Sequence, residues 1–270
     1  MEVFFALIIF FVLVFLFSYV IMFLFTLMDD ISIAVWQRPL FIHWYWSRKT
    51  ITPQEAQILH NQFSFYRKLS NKHKAYFHHR LAAFTEKYAF ISRSEAPVTY
   101  EMQTLIAGTY VMLTFGMRRY LVDVFDKILI YPEEYYSDYS ENYHKGEFNP
   151  RLKAVVFSWK HFTEGYQVEN DNLNLGIHEF SHVIHHHCLS SNDGSSLAFR
   201  KHYNKLREQV NHPPNRQRLI DSDYFRIYAF TNQFEFISVI IEHYFETPSE
   251  FERRFPELFQ LVSKMLNHKH

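Results

Sequence analysis

The chain has 270 residues, and its 28 Lys+Arg balance 28 Asp+Glu, so no basic excess recruits nucleic acid and no acidic tail marks disorder. Hydrophobic residues supply 48% and aromatic residues 19% of the sequence, more than a solvated chain could carry, while six Gly and nine Pro are too few for a turn-rich all-β fold. A single cysteine, Cys188, excludes an internal disulfide and a cysteine-built zinc ribbon, which leaves seventeen histidines as the compositional anomaly.

The first predicted element is a membrane anchor. Val3 to Met28 carries no charge, and at about 1.5 Å per helical residue it reaches roughly 39 Å, against roughly 30 Å of hydrocarbon core. A cleaved signal peptide would begin with basic residues, carry a shorter apolar run and end on small residues. This segment begins Met-Glu and ends Phe-Thr-Leu-Met-Asp-Asp. An uncleaved, single-pass transmembrane helix over 1–28 is therefore expected. Arg38, Arg48 and Lys49 come after it and no basic residue precedes it, which places the bulk of the protein in the cytoplasm. Within a juxtamembrane segment, 29–50, the residues Phe41, Trp44 and Tyr45 read either as an interfacial aromatic belt or as ordinary core.

The remaining residues, 51–270, fit one domain. Thr52-Pro53-Gln54-Glu55 combines an N-cap, a first-turn proline and a capping-box glutamate, predicting a helix to about Lys68. A second begins near Ser70, with Phe77, Leu81, Phe84 and Tyr88 on one face. A third runs from about Thr99 and stops at Gly116. Brief β-branched and aromatic runs predict strands at Tyr88 to Ile91, Lys127 to Tyr131 and Leu152 to Ser158. The Tyr- and Glu-rich stretch Pro132 to Pro150 reads as loop. From Asn170 onward the pattern is helical, with a break at Pro213-Pro214 and a second capping box at Thr247-Pro248-Ser249-Glu250. The sum is an α+β domain, mainly helical with a small sheet.

The chemistry centres on His178-Glu179-Phe180-Ser181-His182, set in the apolar pattern of Leu173, Leu175, Ile177, Val183 and Ile184. On a helix, positions i and i+4 share a face, so His178 and His182 can place two imidazole nitrogens on one zinc ion at about 2.0–2.1 Å. Glu179 can reach the water that such an ion activates and act as general base. A third ligand is still required. Glycine and histidine are missing from the positions that would extend the motif, which hold His185 and Cys188, so a carboxylate from a later helix is expected. Thr231 to Phe245 has the helical period, and Glu235 and Glu242 stand a heptad apart on it. Either could bind zinc. A structural zinc site is disfavoured, because such sites close with four protein ligands. His185, His186 and His187 could lend auxiliary metal contacts, but a partly exposed helix end is the expected reading. Cys188 reads as a small apolar filler.

Several further segments carry a family resemblance. Ile130-Tyr131-Pro132-Glu133-Glu134, Val156-Phe157-Ser158-Trp159, Asn174-Leu175-Gly176-Ile177 leading into the motif, Glu235-Phe236-Ile237-Ser238-Val239 and Phe245-Glu246-Thr247-Pro248 together resemble the Mlc titration factor A family of zinc-dependent peptidases. The likeness runs from about Leu69 to Leu266. It implies a zincin-like, gluzincin-type metallopeptidase related in its core to the anthrax lethal factor protease domain. It further implies one catalytic zinc, Glu235 as third ligand, and Tyr228 assisting the tetrahedral intermediate. The implied substrate is a peptide or protein. The family's name also suggests an alternative, a membrane-tethered protein that sequesters a transcriptional regulator. Two departures stand out: His185 occupies a position that is usually acidic in the family, and the N-terminal anchor has no counterpart in its soluble members.

Overall fold

The computed structural model describes residues 1–36, 39–137, 141–167 and 171–268; Arg38, one of the basic residues from which an orientation is expected, lies outside them. Helix α1 (Glu2–Trp36) is long and apolar enough to cross a membrane, and its most apolar stretch has none of its side chains buried in the protein.

The expected capping box at Thr52 forms. Thr52 Oγ1 accepts from Glu55 N at 3.2 Å, and the Glu55 carboxylate accepts from Thr52 N at 2.7 Å. The helix it starts does not run unbroken to Lys68: Phe63 is extended and buried, dividing it into α2 (Pro53–Gln62) and α3 (Ser64–Lys68). Ser70 then caps α4 (Asn71–Lys87), whose Phe77, Leu81 and Phe84 are buried with Tyr88 as the face pattern predicts. Strand β1 (Ala89–Ser92) leads to α5 (Tyr100–Thr114), buried from Thr104 onward.

Strand β2 (Lys127–Tyr131) occupies its predicted place. The next segment corrects the loop reading of Pro132 to Pro150, for it contains β3 (Tyr135–Ser137), β4 (Asn142–His144) and β5 (Gly146–Asn149). Their polar and aromatic sequences lack a strong alternating pattern, and partners define them instead: β3 and β4 pair as a hairpin, and β5 pairs antiparallel with β6 (Ala154–Ser158). The main sheet has the order β1-β2-β6-β5, with β1, β2 and β6 parallel and β5 at the edge. Parallel strands covered on both faces tolerate continuous apolar runs, and β6 is buried throughout.

Helix α6 (Trp159–Gln167), which the sequence did not announce, leads to α7 (Leu175–Ser190), α8 (Gly194–Asn211) and α9 (Pro213–Asp221). A 3₁₀ turn, Ile227–Phe230, precedes α10 (Gln233–Glu246), α11 (Pro248–Arg254) and α12 (Pro256–Leu266). The prolines divide α8 from α9 as expected. At Thr247 the helix boundary is right but the side-chain cap is not made, because Thr247 Oγ1 donates to Asn172 Oδ1 at 2.8 Å. Helix α7 runs through the middle, packed on α5, α10 and the sheet. Phe180 anchors it among Tyr110, Phe157 and Phe84, with ring centroids 5.1–6.2 Å apart.

Candidate metal centre

Two capped helices bring the predicted residues together. Asn174 starts α7, its side-chain oxygen accepting from Ile177 N at 3.0 Å. Ile177, Phe180, Ser181 and Ile184 go into the core, which turns His178 and His182, one helical turn apart, toward the cleft. Asn232 starts α10 and accepts from Phe234 N and Glu235 N at 2.8 and 3.0 Å. Glu235 therefore stands in the first turn of a helix packed against α7.

His178 Nε2 lies 3.2 Å from His182 Nε2 and 3.1 Å from Glu235 Oε2, and His182 Nε2 lies 3.7 Å from Glu235 Oε1. With metal–nitrogen bonds of about 2.05 Å, the edge of a tetrahedral zinc site is about 3.3 Å. The three separations lie near that edge, with one histidine facing each Glu235 oxygen, so these side chains fit one ion. The other ring nitrogens are occupied. Glu242 Oε1 accepts from His178 Nδ1 at 2.6 Å, and Ser238 Oγ pairs with His182 Nδ1 at 3.2 Å. Such partners fix the tautomer that turns Nε2 toward an ion.

Of the two candidate carboxylates, Glu235 is the one that meets both histidines, while Glu242 stands behind His178. Glu242 is 1% exposed, and its charge is met by Arg226 Nη2 at 2.8 and 2.9 Å and by Asn174 N at 3.3 Å. Sequence reasoning did not single out Arg226 or Ser238. The heptad spacing of Glu242 from Glu235 was the nearest signal for this supporting layer.

Glu179 is buried beside the cluster, with Oε2 accepting from Phe148 N at 3.0 Å. Gly146 permits this approach of β5 to α7, since a Cβ there would stand 2.8 Å from Leu175 and 3.0 Å from Glu179 Cγ. Burial, reinforced by the Glu235 charge, raises the Glu179 carboxyl to about 7 against the opposing effect of His178. Burial pushes His178 down, yet the carboxylates of Glu235 and Glu242 on its two nitrogens carry it up to about 10. His182 is lowered to about 4, chiefly by burial and also by His178.

Tyr228 sits half exposed on the 3₁₀ turn, its ring centroid 6.5 Å from that of His178, with burial and Glu235 raising its phenol to about 12. His178, Glu179, Arg226, Tyr228 and Glu242 all line one cleft of about 550 Å³.

The end of α7 is partly exposed, as expected, but two of the triplet's three histidines are covered. His185 is wholly buried against Tyr203 and Phe234, and His187 lies near Asp193, because α8 folds back over the end of α7. Only His186 of the three is exposed. Among the described residues, the ligand atoms that converge within 4.8 Å are those of His178, His182 and Glu235, without the triplet. Cys188 is a buried free thiol, as expected of a filler.

An uncharacterized protein of Synechocystis sp. is 23% identical over 266 residues, covering 88% of this chain and 94% of the relative. The model of a family described as glucose-regulated metallo-peptidase M90 matches residues 41–266. The chain belongs to this metallopeptidase family, which is the family of Mlc titration factor A that the sequence resembles.

Proposed function

We propose that the protein is a zinc-dependent peptidase, anchored in a membrane by α1 with its catalytic domain in the cytoplasm. The observation that carries the catalytic reading is the convergence of His178 Nε2, His182 Nε2 and the Glu235 carboxylate near tetrahedral-edge spacing, with Glu179 on the adjoining wall. Zinc held by those three residues supplies Lewis acidity that brings a water's pKa from 15.7 toward about 7. Glu179, raised by burial toward the working pH, takes the proton of the attacking water and returns it to the leaving amine. Tyr228 keeps its phenol protonated and donates to the oxygen on which charge develops, an interaction that strengthens in the transition state. Arg226 and Glu242 hold His178 in register. The edge strand β5 gives an extended peptide a backbone to lie along, with Gly146 lining the cleft.

Glu179→Gln tests the assignment. The variant is expected to keep stoichiometric zinc and lose hydrolysis of a mixed peptide library by about 10²-fold or more. Full turnover would remove Glu179 from the mechanism. Metal analysis of Glu235→Ala, expected to lose its zinc, tests the third ligand; unchanged zinc there, with loss in Glu242→Ala, would exchange the two carboxylates.

A further inference from the structure

We propose that residues 40–46 form a collar that folds back along α1 and seats the catalytic domain in the lipid–water interface, with Trp44 and Trp46 at headgroup depth. This rests on reading α1 as a membrane span, and it fixes where the bilayer ends and which face of the domain meets it.

The fold-back is built from specific contacts. Leu40 N donates to Asp29 Oδ1 at 2.9 Å, and the rings of Phe41 and Trp44 pack edge-on against Phe25 at 5.3 and 4.9 Å. The segment after the helix therefore runs back from the level of Asp29 to that of Phe25. Its other side is fastened to the domain. Arg80 donates from Nη2 to Ile42 O at 3.1 Å and from Nε to Tyr45 OH at 2.6 Å, and the His43 ring stacks on Tyr76 at 4.7 Å.

The end of α1 is also held by the domain. Asp29, 7% exposed, is paired with Arg118 at 2.9 Å. At Gly194, the first residue of α8, a Cβ would stand 2.4 Å from Ile33 and 3.3 Å from Asp29 Oδ2, so glycine there lets the two helices close.

These contacts divide the apolar run. Residues 3–24 are exposed save the half-buried Ile21, and at about 1.5 Å per residue they measure about 33 Å, close to the roughly 30 Å hydrocarbon core. From Phe25 onward one side of the helix is held by the collar and the domain, through Phe25, Asp29, Ser32 and Ile33, while Leu27, Met28 and Ile31 on the other side stay exposed. The extra length in the roughly 39 Å of Val3 to Met28 thus lies at the level of the collar, and the boundary falls at Phe25, where the protein contacts begin.

At that boundary the collar leaves apolar rings uncovered. Trp44 is 48% and Trp46 97% exposed, beside a cavity of about 370 Å³ reached by Tyr120 and Arg118. Indole and phenol rings with a guanidinium are the groups that gain most at headgroup depth, where one end is apolar and the other wet. In water the same surface is an uncompensated exposure of large apolar area.

The test uses the full chain in phosphatidylcholine vesicles. Trp→Phe substitutions leave one tryptophan in each variant: Trp44, Trp46 or the core residue Trp159. Lipids brominated high on the acyl chain are expected to quench Trp44 and Trp46 at least about twofold more than lipids brominated near the bilayer centre, with Trp159 unaffected by either. The unsubstituted chain, read with the same lipids, guards against a variant that fails to fold. A chain that floats with the vesicles while Trp44 and Trp46 answer only to aqueous iodide overturns the collar and leaves the anchor standing. A chain that does not float at all overturns the anchor and the collar together, with the zinc reading untouched.

Discussion

Arg80 and the His178 cluster both place polar atoms inside apolar protein, and they are satisfied in opposite ways. Arg80 is fully buried and directs its N–H donors at Tyr45 OH and the carbonyls of Ile42, Thr114, Phe115 and Met117. Each atom has a partner of complementary kind, so the joint is closed and can only be structural. At the metal centre the outer atoms are matched in the same way, His178 Nδ1 by Glu242 and His182 Nδ1 by Ser238. The inner atoms are two imidazole nitrogens and a carboxylate, all electron-pair donors, turned on one another at 3.1–3.7 Å. Such an arrangement calls for a cation between them. Lone pairs that converge mark the functional site; lone pairs used up mark the scaffold.

The contrast predicts where substitutions do damage. Arg80→Ala strands three buried carbonyls, with the half-buried Ile42 carbonyl and Tyr45 phenol, and should cost roughly 3–5 kcal/mol of stability, read by thermal unfolding with or without metal. His182→Ala should leave the metal-free protein within about 1 kcal/mol of the parent while abolishing zinc binding. Equal losses in the two variants would break the distinction between scaffold and site. Glu242→Gln sharpens it. The amide keeps the shape but gives up the negative partner of His178 Nδ1 and Arg226, so zinc affinity measured against a competing chelator should fall about 10–100-fold with the fold intact. Ser238→Ala removes a neutral partner at 3.2 Å, and its effect on the same titration should be smaller, about threefold.

How far the sequence could be read depends on the same division. Helix caps and apolar faces are local, so Thr52, Ser70 and the Phe77–Leu81–Phe84 stripe announce their helices. The His178 and His182 pair is likewise local, being two positions one turn apart. Its third member had to come from elsewhere, and the heptad of Glu235 and Glu242 left two choices that only the placement of α10 against α7 separates. Arg226, Ser238 and the Phe148 N–H carry no spacing signal, because their roles depend on which segment lies opposite. The strands between Pro132 and Pro150 escaped for a related reason: β5 is defined by its ladder with β6 and by glycine contact with α7, neither of which shows as an alternating pattern. At Phe63 and Thr247 local rules met tertiary contacts and yielded. One aromatic ring broke a helix by burying itself, and one hydroxyl turned from its cap to Asn172.

Glu246 supplies the smallest and most discriminating case, a polar group behind the site that neither closes a joint nor converges with ligands. It lies one helical turn beyond Glu242, with Oε2 buried and without a hydrogen-bond partner among the described residues. Burial first, and the Glu242 charge after it, raise its carboxyl to about 8. Because this is far above the unfolded value of about 4.3, the folded state holds the proton more tightly. The stabilisation from that proton is complete below about pH 4, and it drains away as pH rises toward about 8. Glu246→Gln cannot ionise and escapes that loss. The difference in Tm between variant and parent should therefore grow in the variant's favour from about pH 5 to about pH 9. Discounted for partial exposure, the gain is about 1 kcal/mol, or roughly 2–4 °C. A difference that stays flat across that range would mean Glu246 ionises freely, and that α10 carries its second acidic turn in contact with water.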